Sequence, residues 1–138
     1  MKLNLQNHLN PKQLEAVQAT DGPLLIIAGA GSGKTRTIIY RIAYMLEQGI
    51  PQSSILALTF TNKAAREMEQ RIHALSGKKL QNLTISTFHS FGATLLRSSI
   101  SRLGFNHRFS IYDQADKISL IKEVANELSL SLEPNDFR

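Results

Sequence analysis

The clearest chemistry in this sequence sits in eight consecutive residues, Ala28-Gly29-Ala30-Gly31-Ser32-Gly33-Lys34-Thr35. Residues this small let the backbone curl until successive N–H groups face one concavity. With the amino terminus of a following helix, those groups hold phosphate oxygens. Lys34 carries a mobile positive charge toward β- and γ-phosphates, and the Thr35 hydroxyl is a natural Mg²⁺ ligand. A nucleoside triphosphate with Mg²⁺ is therefore the expected ligand, and Lys34 and Thr35 are the candidate catalytic groups. Ala28 stands where the GxxxxGK[ST] pattern usually has glycine, a position still leaving the preceding strand where a methyl group fits. A phosphate loop does not by itself name an activity, because kinases, GTPases, transporters and motors all use one.

The usual partner of such a loop, an apolar strand ending in Asp-Glu, is missing from the sequence. Asp113, after Phe109-Ser110-Ile111-Tyr112, is the candidate strand-terminal carboxylate. Its competing role is the N-cap of the next helix, which Asp116 three residues on favours. A self-contained small kinase or NTPase would need Asp113 as its Mg²⁺ partner. A nucleic-acid-binding module with a vestigial loop would need no such residue.

The loop requires a strand before it and a helix after it. Residues 24–28, Leu-Leu-Ile-Ile-Ala, are continuously apolar and predict a central strand covered on both faces. Residues 34–48 predict a helix with Ile38, Ile42, Met45 and Leu46 on its apolar face and Gly49 at its end. Upstream, Asn10-Pro11 marks the start of a short helix reaching about Ala19. The alternation repeats downstream. Residues 55–60 and 83–88 predict strands; residues 62–75, with Ala65, Met68 and Ile72 buried, and residues 90–103 predict helices. Residues 109–112 predict a further short strand, and residues 114–128 a helix with the stripe Ile118, Ile121, Val124 and Leu128. Strands alternating with helices of this length imply an α/β fold with a parallel sheet and right-handed crossovers. The last ten residues predict no closing element and read as a truncation.

Composition agrees with one folded domain. Of 138 residues, 42% are apolar and 20% charged, close to the average for a soluble chain. No apolar run approaches the roughly 18 residues of a membrane span, and the start is too polar for a signal peptide. No membrane association and a cytoplasmic location are expected. With no cysteine and four scattered histidines, neither a disulfide framework nor a structural zinc site is expected. The net charge of +5 is uneven: residues 1–112 hold thirteen Lys/Arg against five Asp/Glu, and residues 113–138 hold three against six. From Arg71 to Tyr112 there are six basic residues and no acidic one. Such a bias suits a polyanionic partner, and a merely solvated basic face would look the same.

Three more segments flank the loop in a telling order: Leu9-Asn10-Pro11-Lys12-Gln13, then Leu58-Thr59-Phe60-Thr61-Asn62-Lys63-Ala64-Ala65-Arg66-Glu67-Met68, then Ser86-Thr87-Phe88-His89-Ser90-Phe91. Together with the AGAGSGKTR loop they closely resemble the start of the Rep, UvrD and PcrA type of superfamily 1 DNA helicases. The resemblance runs from Leu9 to about Asp113. It implies a three-layer RecA-like P-loop domain, incomplete over residues 1–112, with residues 113–138 beginning an inserted helical subdomain. It implies that Gln13 reads the adenine edge and that Arg36 packs on the adenine ring. Gly29, Ala30, Gly31, Ser32 and Gly33 would surround the phosphates with Ala28, Lys34 and Thr35. Phe60, Thr61, Asn62, Thr87 and His89 would meet single-stranded DNA. Lys63 and Arg66 fit a phosphate contact and a solvated face equally, while Phe88 and Phe91 are assigned mainly to the core.

The activity implied is ATP-driven translocation on single-stranded DNA, with 3′ to 5′ polarity, in concert with the remaining domains of a longer parent. Ligands of open parallel sheets gather beyond the carboxyl ends of the strands, so fuel and track are expected on one rim. The acidic motif, a glutamine sensor and the arginines of a second RecA-like domain are not found in this sequence. An arginine supplied in trans is worth about 10³ to 10⁵ in turnover for phosphoryl transfer, so the chain alone is expected to be a very poor ATPase.

Overall fold

The structure is a computed structural model and describes residues 3–131. It divides into two compact units, one up to Thr94 and one from Leu95 onward. Part of the expected helical insertion, beyond Ser131, lies outside the described residues.

The first unit begins with α1 (Pro11–Gln18), α2 (Lys34–Glu47) and a short 3-10 turn (Gln52–Ser54). Strand β1 (Leu56–Thr59), helix α3 (Asn62–Ser76) and strand β2 (Thr84–Thr87) follow, and α4 (Phe88–Ser99) leads out of the unit. β1 and β2 pair in parallel, with Leu56 opposite Thr84 and Thr59 opposite Thr87. α3 is the crossover between them. Thr61 starts it, its hydroxyl accepting the Ala64 N–H at 3.1 Å, and Gly77 closes it in a left-handed turn. The expected stripe Ala65, Met68 and Ile72 is buried.

The main core joins Ile39, Ile42 and Leu46 of α2 to Met68 and Ile72 of α3 and to Ile55 and Ala57 at β1. Ile72 and Leu46 are almost fully enclosed, and each such side chain contributes about 1.5–3 kcal/mol by leaving water. Strand alternation then decides which sheet residues join the core. Ala57 and Thr59 face α2 and α3 with Ile85 and Thr87, while Leu56 points away and is exposed. A second cluster ties Leu5 and Leu9 of the N-terminal segment to Val17 of α1 and Tyr40 of α2. Arg41 reinforces it, donating from Nη1 to the Ala16 carbonyl at 2.6 Å near the end of α1.

Four expectations need correction. Residues 24–28 form no strand, and Leu25 and Ile27 are 81% and 88% exposed. A strand exists only through its neighbours' hydrogen bonds, and among the described residues none pairs with this segment, so its apolar pattern has nothing to cover it. Among the described residues the sheet consequently has two strands, and α4 buries no side chain. On α2 the buried face is centred on Ile39, Ile42, Ala43 and Leu46, with Ile38 exposed. The presence of α1 on one flank and α3 on the other turns the face by one residue. Phe88 is no core residue either; it is exposed at the end of β2.

The second unit contains a 3-10 turn (Ile100–Leu103) and α5 (Gln114–Glu127). Residues 109–112 are not a strand, and among the described residues no strand pairs with them. Ile121, Val124 and Leu128 of the expected stripe are exposed, and the buried residue of α5 is Ala125.

Candidate phosphate and nucleic-acid site

The loop before α2 is shaped by two left-handed glycines. Gly31 has φ 74°, and Gly33, the N-cap of α2, has φ 85° and ψ 25°. A side chain at either position would strain the backbone. Gly33 is also crowded, since a Cβ there would lie 2.9 Å from Nε2 of Gln13. Ser32 Oγ donates to the Gly29 carbonyl at 2.7 Å and holds the loop's curl. The Lys34 ammonium folds back and donates to the carbonyls of Ala28 at 2.9 Å and Gly29 at 2.7 Å. Lys34, Thr35 and Arg36 form the first turn of a 14-residue helix, whose leading N–H groups have no partner within the helix. These N–H groups, the concavity of small residues and one lysine match the donor set a polyphosphate requires. Among the described residues no group of three or more His, Cys, Asp or Glu could hold a metal ion.

Gln13 reaches this loop from α1 and does two jobs there. Its Oε1 accepts the Asn10 N–H at 3.1 Å while its own N–H donates to Asn10 Oδ1 at 2.9 Å, a reciprocal cap of α1. Its Nε2 donates to the Ser32 carbonyl at 3.0 Å. The amide thus staples α1 to the phosphate loop. Sequence reading singled out Gln13 without foreseeing that contact, because the spacing of 19 residues is closed only in three dimensions.

Arg36 lies beside a cavity of about 370 Å³ lined by Arg36, Ile39 and Tyr40 of α2 and by Arg71, Ala74 and Leu75 of α3. Its guanidinium carbon is 5.7 Å from the centre of the Tyr40 ring. Arg71, which also pairs with the Glu67 carboxylate one turn earlier, is a site residue the sequence reading missed. Only its place in a run without acidic residues could have flagged it; packing of α3 on α2 brings it opposite Arg36.

At the far end of β1 and β2 two aromatic rings stand in solvent. Phe60 is 91% exposed and Phe88 54%, with ring centres 5.8 Å apart and planes at 48°. Thr61 caps α3, and Asn62 is its exposed first residue. His89 is exposed, as are Lys63 and Arg66. Thr87 differs: it is buried, its hydroxyl donates to Ser90 Oγ at 2.9 Å and accepts the Ser90 N–H at 3.1 Å. It holds the start of α4 and does not reach outward.

The two groups of residues share a direction. Arg36 and Tyr40 near the start of α2 share the cavity with Arg71 and Leu75 in the second half of α3, and the Leu46 carbonyl near the end of α2 accepts from Lys78 just past α3. Contacts thus advance in the same order along both helices, and the two run the same way, offset along their length. Since α3 starts at the carboxyl end of β1, the amino end of α2 with Lys34 and the tips bearing Phe60 and Phe88 point toward one end of the unit. Asp113 belongs to the second unit and is an N-cap: its Oδ1 accepts the Asp116 N–H at 2.9 Å, and Asp116 Oδ2 accepts the Asp113 N–H at 3.1 Å.

Residues 9–138 match the family model of the UvrD/REP helicase N-terminal domain. The chain is 51% identical over 134 residues to the ATP-dependent DNA helicase PcrA of Bacillus subtilis, covering 96% of this chain and 18% of that relative. It is 48% identical over 137 residues to the protein of the same name from Staphylococcus aureus strain Mu50, covering 96% of this chain and 19% of that relative. With the Staphylococcus epidermidis protein of that name the identity is 50% over 121 residues, 87% of this chain and 17% of the relative. The chain spans about a fifth of the length of these curated relatives.

Proposed function

The chain belongs to the UvrD/REP helicase N-terminal domain family, and from that premise we propose that it carries the ATP-binding loop and part of the single-stranded-DNA grip of an ATP-dependent DNA helicase. The supporting observation is the common direction of the α2 amino terminus and the exposed Phe60 and Phe88 tips. In this reading the unit is a RecA-like half whose partner domain lies elsewhere in a longer polypeptide, and translocation runs 3′ to 5′.

The chemistry follows from the residues. Bound ATP would take the Lys34 ammonium from the Ala28 and Gly29 carbonyls. Phosphate oxygens are the stronger partners, because the ammonium then faces a full negative charge in place of a carbonyl dipole. The loop and first-turn N–H groups of α2 would receive the remaining phosphate oxygens, and the Thr35 hydroxyl would be a ligand for Mg²⁺. Mg²⁺ would supply charge neutralisation to the phosphates. Arg36, with Arg71 across the cavity, would take the base, and Gln13 would turn its amide from Ser32 to the adenine edge. That exchange would loosen the staple to α1.

On the DNA side, Phe60 and Phe88 offer exposed faces on which bases stack irrespective of sequence. Asn62, His89, Lys63 and Arg66 stand exposed beside them for polar and phosphate contacts, while Thr87 acts by fixing the β2–α4 corner. The reading is tested by thermal unfolding with millimolar Mg-ATP and by titration with an oligothymidylate. Nucleotide should raise the melting temperature by mass action, and DNA affinity should fall as salt rises. A chain that ignores nucleotide, or binds DNA with a salt-independent affinity, rules the proposal out.

A further inference from the structure

Arg36 and Tyr40 stand one turn apart on α2, and both line the cavity shared with Arg71. Among the described residues Arg36 has no carboxylate partner. What holds its guanidinium is the Tyr40 ring, whose centre lies 5.7 Å away, inside the range of a cation–π contact. Tyr40 itself is firmly set. It is 8% exposed and packs with Leu5, Leu9 and Val17, and the His8 ring lies against it with centres 5.9 Å apart. The N-terminal segment, α1 and α2 therefore converge on one aromatic ring, and Arg36 lies over it on the cavity side. A free arginine must lose much of its rotamer freedom to stack on a base. One already fixed by a buried ring loses less, and the difference appears as affinity.

We propose that Tyr40 is a positioning residue for the nucleotide base, its buried ring fixing the Arg36 guanidinium at the cavity so that the base is received on a preset plane. The proposal rests on the reading of Arg36 as the base-stacking residue. It assigns the N-terminal segment a part in nucleotide binding, because residues 5, 8 and 9 set the ring.

The test compares binding of Mg-ATP and of Mg-tripolyphosphate, which has no base, to the full chain and to Tyr40→Leu, Tyr40→Phe, Arg36→Ala and the Arg36→Ala/Tyr40→Leu double variant. Tyr40→Leu should weaken ATP about two- to fivefold, the worth of a partly exposed cation–π contact, and leave tripolyphosphate unchanged. Tyr40→Phe, which keeps the ring, should bind like the parent. Arg36→Ala should weaken ATP, and adding Tyr40→Leu to it should change nothing further. Equal weakening of both ligands by Tyr40→Leu, or additive losses in the double variant, overturns the proposal. So does an unchanged ATP affinity in Tyr40→Leu beside a weakened Arg36→Ala, which leaves the reading of Arg36 standing. An unchanged Arg36→Ala overturns that reading and the proposal together. If Tyr40→Leu does not fold, the Arg36 Nε–H resonance of the parent chain decides. A ring-current displacement from the random-coil position is expected, and its absence overturns the proposal.

Discussion

Replacing Gly33 by alanine tests the architecture of the phosphate loop at its tightest point. The substitution acts twice. At φ 85° and ψ 25° an L side chain is held in the left-handed region, which disfavours the folded state by roughly 1–2 kcal/mol. The new Cβ also arrives 2.9 Å from Gln13 Nε2, closer than a carbon and an amide nitrogen tolerate. The amide must swing away and release the Ser32 carbonyl, a solvent-exposed hydrogen bond worth about 0.5 kcal/mol. Together the two terms come to about 1.5–2.5 kcal/mol. For a unit of this size each kcal/mol moves the melting temperature by about 4–8 °C, so a fall of about 6–20 °C is expected. Thermal unfolding monitored by circular dichroism, with and without Mg-ATP, reads both the loss and the remaining nucleotide response. Gln13→Ala isolates the second term, and in the double variant the collision is gone, so the losses should sum to less than the two singles. A Gly33→Ala chain that melts within about 1 °C of the parent and keeps its full nucleotide shift would refute this account of the loop.

Four further outcomes are expected. Lys34→Ala should abolish stabilisation by Mg-ATP while altering the melting temperature of the free chain little, since its contacts to Ala28 and Gly29 are exposed; differential scanning fluorimetry reads both. Phe60→Ala should leave stability unchanged, because the ring is 91% exposed, and should weaken oligothymidylate binding by about 1–3 kcal/mol in an anisotropy titration. Ile72→Ala, deep between α2, α3 and the sheet, should lower stability by about 2–5 kcal/mol in urea unfolding. Asp113→Ala should remove the cap of α5 and cost about 1 kcal/mol, visible as reduced helicity, without touching nucleotide binding.

Local chemistry in the sequence was enough to locate most helices and the phosphate loop. Asn10-Pro11 and Asp113 act on the residues just after them, so those helix starts could be read from a few neighbouring letters. Gly31, Gly33 and Lys34 likewise carry their conformational and charge requirements in their own identity. The stripe Ala65, Met68 and Ile72 was legible because one face of α3 meets one partner surface. Pairing and convergence were not legible in this way. The apolar run 24–28 satisfies every local rule for a buried strand and forms none among the described residues, since hydrogen bonding to a neighbour is a property of two segments. Phe88 reads as core and is exposed beside Phe60, because register across β1 and β2 decided which end residues project together. The Gln13–Ser32 staple, the Arg36–Arg71 cavity and the seating of Arg36 on Tyr40 depend on how α1, α2 and α3 pack. The sequence by itself determined which residues can bind phosphate and where helices begin, because those are short-range effects. Only the tertiary structure decided which distant side chains share a site, because that depends on the packing of whole elements.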